Sequence, residues 1–156
     1  MSLIKKVAPL AVAAGLGAGT MAVAQSGGDP VRENLAAQAN PKGAKGRTLA
    51  LARVTIPAGA VLALHHHTGT QIARVTQGTL TYTVKSGSVS VHTGQAGEDT
   101  IVRKISAGQT GPIKAGQWIV EEPSVVHGSS NRGTKKVVIY LSTLLPNGDP
   151  PSVPNR

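Results

Sequence analysis

Cysteine is absent from the 156 residues, which excludes disulfides, thiolate metal sites and a cysteine nucleophile while leaving the redox compartment open. Phenylalanine is absent too, and Trp118, Tyr82 and Tyr140 are the whole aromatic complement. A core must therefore be built from Val, Ile, Leu and Ala. Acidic residues are scarce: seven Asp and Glu stand against sixteen Lys and Arg, a formal charge of +9. Such a balance raises nucleic acid as a partner. The basic residues are scattered, however, and aromatics that could stack on bases are nearly lacking, so no nucleic-acid role is expected. What is plentiful is glycine, with 19 residues, and proline, with 10. Together with the aliphatic core they point to strands and turns rather than helices. The length suits one domain.

Met1 to Ala24 has the three-part form of a secretory signal peptide. Lys5 and Lys6 open it, Val7 to Ala22 is apolar, and Ala22-Val23-Ala24 is an A-x-A cleavage site before Gln25. The apolar run is short and broken by Pro9 and glycines, which argues against a retained membrane anchor. An exported protein is expected, secreted, periplasmic or in the cell envelope, with no stable membrane insertion after cleavage. Removal of two lysines and no acid would take the charge from +9 to +7. Residues 25–47, with SGGDP, ANPKG and AKG, read as a flexible leader containing a short helix over Val31 to Ala39.

From Thr48 the pattern changes to short strands between glycine-bearing turns, near 48–56, 60–67, 71–77, 79–85, 88–92, 99–106, 117–122, 124–128 and 135–143. Leu80, Tyr82 and Val84 alternate with threonines, and Val89 and Val91 alternate with Ser88, Ser90 and His92. His92 is thereby assigned to a polar, solvent-facing side. The spacing suits a sandwich or jelly-roll barrel. GQAGEDT reads as a long turn at one rim, and the tail from Pro146 is too rich in proline to continue a sheet.

The stretch that carries chemistry is IPAGAVLALHHHTGTQIARVTQG, Ile56 to Gly78. His65 and His67, two residues apart, share a face only on an extended strand. Strict alternation puts Val61 and Ala63 with them and puts Leu62, Leu64 and His66 on the other face. A second glycine-framed stretch, GQWIVEEPSVVHGSSN, carries His127 and Asn131. A bound metal needs ligands converging from more than one strand, and these two stretches supply them.

The two stretches resemble the paired motifs of the cupin superfamily, G-x5-H-x-H-x3,4-E-x6-G and G-x5-P-x-G-x2-H-x3-N, and the small single-domain, quercetinase-like and conserved-barrel cupins in particular. Gly59, His65, His67 and Gly78 match the first, and Gly116, His127 and Asn131 the second. Three positions depart. Gln71 stands at the glutamate position, Pro123 is displaced by one with Glu122 in its place, and Ser124 replaces the second glycine. The resemblance covers roughly residues 48–145, leaving 146–156 as a proline-rich tail.

The resemblance implies an all-β, double-stranded β-helix (jelly-roll) barrel. It also implies one divalent metal ion (Fe, Mn, Ni, Cu or Zn) held by His65, His67, Gln71 and His127. An amide oxygen at Gln71 would leave the ion its full +2 charge, weakening metal binding and strengthening the pull on an anion. Glu121 and Glu122 are candidates for supporting contacts or a general base, or solvated charges at a strand end; no catalytic residue is assigned. The implied activities range from dioxygenase and isomerase chemistry on a small polar molecule to non-catalytic ligand or metal binding. Leu62 and Leu64 on the outer face would need cover, which a second subunit in a homodimer would provide, as in many cupins.

Overall fold

A computed structural model describes residues 28–155, and the expected signal peptide, 1–24, lies outside them. The described chain forms twelve strands: β1 (Val31–Ala39), β2 (Arg47–Ile56), β3 (Val61–His66), β4 (Thr70–Gln77), β5 (Thr79–Ser86) and β6 (Ser88–Thr93) come first. They are followed by β7 (Thr100–Ser106), β8 (Thr110–Lys114), β9 (Trp118–Glu121), β10 (Val126–Ser130), β11 (Val137–Pro146) and β12 (Val153–Pro154). A seven-stranded sheet runs β1-β2-β11-β4-β9-β6-β7, and a five-stranded sheet runs β12-β3-β10-β5-β8. Neighbours in both sheets pair antiparallel. This is the expected all-β jelly roll.

Alternation decides which side chains meet between the sheets. Leu80, Tyr82 and Val84 of β5 point inward, as do Ala73 and Val75 of β4 and Val137, Ile139 and Leu141 of β11. Burying each such aliphatic side chain contributes ~1.5–3 kcal/mol, and with no phenylalanine available the core depends on many of them. Tight crossings are held open by glycine. A Cβ on Gly69 would collide with the backbone oxygen of Leu144, so the β3–β4 turn can lie flat on β11 only without a side chain there.

The leader differs from expectation. Val31–Ala39 is a nine-residue edge strand paired with β2, not a helix. Its Ala, Leu and Gln content favours a helix in isolation, but the open edge of β2 satisfies its backbone hydrogen bonds, and a bidentate ion pair from Arg53 to Glu33 ties the two strands. A bulge between Asn34 and Ala36 marks the poor local fit. The tail differs as well. Val153 and Pro154 pair with His66 and His65, and Asn155 N–H donates to Leu64 O at 2.9 Å. Proline is tolerated because β12 is an edge strand with no outer neighbour. Strand β8, with its Gly111-Pro112 pair, went unread for the same reason and forms the opposite edge of that sheet.

Strict alternation also fails in β3. His65 pairs with His127, but Leu62 pairs with Ser129, so one extra residue bulges out of β3 between them. The bulge brings Leu62 onto the core and leaves Val61 66 % exposed. Leu62 thus finds its cover within the chain. His92 is not a free solvent-facing residue either: its ring stacks on Trp118 at 4.1 Å and its Nδ1 meets Asp99 Oδ2 at 2.5 Å.

Candidate metal centre

His65 lies on β3, His67 just beyond its end, and His127 directly opposite His65 on β10. The three rings form a triangle with centroids 4.4 Å (His65–His127), 5.0 Å (His65–His67) and 5.1 Å (His67–His127) apart. One nitrogen from each ring lies within 4.8 Å of the other two. The bulge in β3 makes this possible, because it restores the inward face just before His65. His66 points away and meets Asn155 Oδ1 at 2.6 Å, as expected of a residue outside the site.

Each ring is held by a backbone carbonyl at Nδ1: His65 by Ala63 O at 2.7 Å, His67 by Pro151 O at 2.7 Å and His127 by Val125 O at 3.4 Å. A carbonyl only accepts, so the proton of each neutral ring sits on Nδ1 and the Nε2 lone pair is left for the interior. Pro151 belongs to the tail, which therefore orients a site residue and does not merely lie on the surface.

Glu121, at the end of β9, is as buried as His67, Gln71 and His127, each 3 % exposed. Its Oε1 lies 3.1 Å from His127 Nε2 and its Oε2 lies 3.5 Å from His67 Nε2. Tyr82 Oη donates to Oε1 at 2.7 Å, and the Gln71 amide donates to Oε2. Glu122 faces outward and accepts from Thr70 Oγ1. Of the two adjacent glutamates, then, strand alternation sends one into the site and the other to solvent. Gln71 reaches the site too: its Nε2 lies 2.8 Å from His67 Nε2, while its Oε1 is buried without a hydrogen-bond partner.

Burial works against protonation of His65 and His127. Burial pushes His127 down to about 4, only partly countered by the Glu121 charge, and burial likewise lowers His65. Burial disfavours the Glu121 carboxylate, but the hydrogen bonds it accepts and the imidazoles beside it outweigh that and hold the acid well below its ordinary range. Burial and the Glu121 charge keep the Tyr82 phenol protonated. Imidazoles whose Nδ1 atoms face carbonyls and whose Nε2 atoms turn inward beside a carboxylate form a set of acceptors with few protons to share. A divalent cation is the group that such a set fits.

Asn131 of the second motif is 1 % exposed but takes no part in the site. Its Nδ2 donates to Ile56 O and Lys135 O, and it pins the loop before β11. The turn Pro123-Ser124 closes through Val125 N–H to Glu122 O at 2.9 Å without a positive φ at Ser124, so the missing glycine changes little.

An apolar cavity of about 420 Å³ adjoins the histidines, walled by Val54, Leu80, Ile113, Ile139 and Leu141, with Arg32 also on its lining. Arg32 and Pro151 escaped the sequence reading because the first lies in a segment read as a short helix of a flexible leader and the second in the proline-rich tail. The alternation of Arg32 and Glu33 beside the hydrophobic strand β2 was the available signal for the first.

No family model and no curated protein matches the sequence. Solved structures do match. A cupin 2 domain-containing protein from Halorhodospira halophila is 15 % identical with a TM-score of 0.52, covering 81 % of this chain and 71 % of its own. A double-stranded β-helix protein from Klebsiella pneumoniae is 22 % identical (TM-score 0.42), covering 78 % and 80 %. A cupin-like protein from Thermotoga maritima is 17 % identical (TM-score 0.49), covering 81 % and 75 %. The chain has the double-stranded β-helix fold of cupin-type proteins.

Proposed function

We propose that the protein is an exported, single-domain metalloprotein that binds one divalent ion through His65, His67, His127 and Glu121 and acts as an enzyme on a small molecule in the adjoining cavity. The observation that carries this reading is the acceptor-only cluster: three carbonyl-oriented imidazoles and a buried carboxylate facing one another at 3.1 and 3.5 Å. Glu121 supplies the acidic donor that Gln71 lacks at the motif position, since the two residues are register partners on β4 and β9. Gln71 Oε1 is buried without a partner, but the amide turns its Nε2 to His67 and Glu121, so Gln71 serves the centre first by holding Glu121. When bound, a divalent ion supplies Lewis-acid polarisation of a ligand oxygen.

The chain's own contribution is orientation, charge and an apolar wall. The Nδ1 bonds fix the imidazoles, Tyr82 and Gln71 fix both oxygens of Glu121, and aliphatic side chains form most of the cavity wall. With Glu121 as ligand, the ion's net charge falls to about +1. The exported location rests on the basic start, apolar run and Ala22-Val23-Ala24. Metal analysis of tag-free protein tests the centre, because three adjacent histidines can take nickel from a column. Oxygen uptake and turnover against diketones, flavonols, carboxylates and sugars test the activity. One equivalent of metal without turnover would leave a ligand- or metal-binding module; protein with neither would sink both readings.

A further inference from the structure

We propose that Arg32 is the anion-recognising residue of the barrel cavity, and that the molecule bound there is an organic acid with an apolar body. This deepens the reading of the cavity as a small-molecule site and rests on it.

Arg32 pairs with Val54 across the β1–β2 ladder. Register partners project from the same face of a sheet, and Val54 is a buried core residue on the inner face. The guanidinium thus sits on the inner side, at the edge of the seven-stranded sheet, on the lining of the cavity. Its neighbour Glu33 projects to the outer face and is occupied there by Arg53, with both N–H···O distances 2.7 Å. Arg32 itself makes one long bond, Nε to Asn34 Oδ1 at 3.4 Å, and no ion pair with a carboxylate of the described residues. It is half-buried, and burial lowers its pKa without removing its charge.

The remaining wall offers nothing equivalent. Among the described residues its other titratable groups are the histidines, Tyr82 and Glu121, so Arg32 is the one permanent cation of that described lining. The row Val54–Ile139–Val75 lies four residues along the strands from the row Ala50–Thr143–Gln71–Glu121. At ~3.3 Å per residue, Arg32 stands roughly 13 Å from the metal-site row along the strand direction. Between them lie Ala52, Leu141, Ala73 and Ile119, which are apolar. A half-buried guanidinium without a carboxylate partner bears a desolvation cost, and a planar carboxylate is the ligand group that offsets it through two parallel hydrogen bonds. A ligand matching this wall carries its anion at Arg32 and an aliphatic or aromatic body toward the histidines.

The test uses metal-free, full-length protein titrated with hexanoate and, separately, with hexan-1-ol, followed by amide chemical shifts. Hexanoate should bind more tightly than hexan-1-ol, and Arg32→Gln should lose about tenfold or more of hexanoate affinity, the worth of one charge-assisted hydrogen-bonded pair. Hexan-1-ol affinity should be unchanged. Arg32→Lys should recover part of the loss, and Arg74→Gln, on the outer face, should bind hexanoate like the unaltered protein. Equal hexanoate affinity in Arg32→Gln, or no preference for hexanoate over hexan-1-ol in the unaltered protein, overturns the assignment. Because no metal is present, a failure of the metal centre would show only in the separate metal titration and would leave the hexanoate result standing.

Discussion

Gln71 and Glu121 face one another as register partners of β4 and β9, and the amide of the first donates to the carboxylate of the second. The acidic group that the first motif lacks is thus supplied from the neighbouring strand, at the same level of the barrel. One negative charge is retained in the site, but it comes from a different direction and is held by Tyr82 as well.

Exchanging the two residues tests that arrangement. Gln71→Glu alone places two carboxylates in contact, so the metal-free protein should be destabilised, by roughly 1–3 kcal/mol, and metal binding should tighten. Glu121→Gln alone should weaken metal binding with little loss of fold, and the double exchange should recover much of the affinity. Metal titration combined with thermal melting reads all three. If Glu121→Gln binds metal as well as the unaltered protein, the carboxylate is not a donor.

His67→Ala and His127→Ala should each reduce metal affinity by at least about a hundredfold while leaving a folded barrel, since each removes a direct donor. His66→Ala and His92→Ala should change it little, because their rings engage Asn155 and Asp99 instead. Equal losses in all four, measured on tag-free protein with circular dichroism as the fold check, would indicate loose surface binding.

Acid should weaken the metal-free fold in a defined window. The folded-state pKa of His127 is depressed to about 4 from its ordinary 6.5, so the unfolded chain binds the proton first as pH falls. The stability contributed is present above pH 6.5 and declines as pH falls through about 4. Thermal midpoints taken between these limits should drop for the unaltered protein and drop less for His127→Asn. A level profile would argue against a buried neutral imidazole.

Removing residues 150–156 deletes the Pro151 carbonyl that holds His67 Nδ1 and exposes the edge of β3. Metal affinity should fall by about ten- to a hundredfold, as for loss of a group that orients a ligand, with the core still folded. Asn155→Ala, which affects only the outward His66, is the control. An unchanged affinity in the truncated protein would show that His67 needs no such support.

The fold and the histidine triad were legible in the sequence because both depend on local pattern. Alternating aliphatics fix the inward faces of β5 and β6, and two glycine-framed stretches carry His65, His67 and His127. What escaped depends on pairing between distant segments. Residues 31–39 have helix-favouring composition and become a strand only because β2 has a free edge. Pro154 is compatible with a strand only where no outer neighbour exists. The bulge that carries Leu62 inward is a mismatch in length between β3 and β10, visible in neither strand alone. Glu121 was distinguishable from Glu122 only once the end of β9 and its alternation were fixed.

The hydrogen bond from His67 to Pro151 also bears on when the centre can be assembled. The groups that make and orient it run from His65 to Pro151, and most contacts among the described residues join segments distant in sequence. Such topologies fold slowly, because long loops must close before any contact forms. No nascent chain that stops short of residue 151 can present all three imidazoles in their final orientation. A metal ion taken up by this triad would therefore be selected in the surroundings in which the late strands dock, not in those in which the histidines are first joined to the chain.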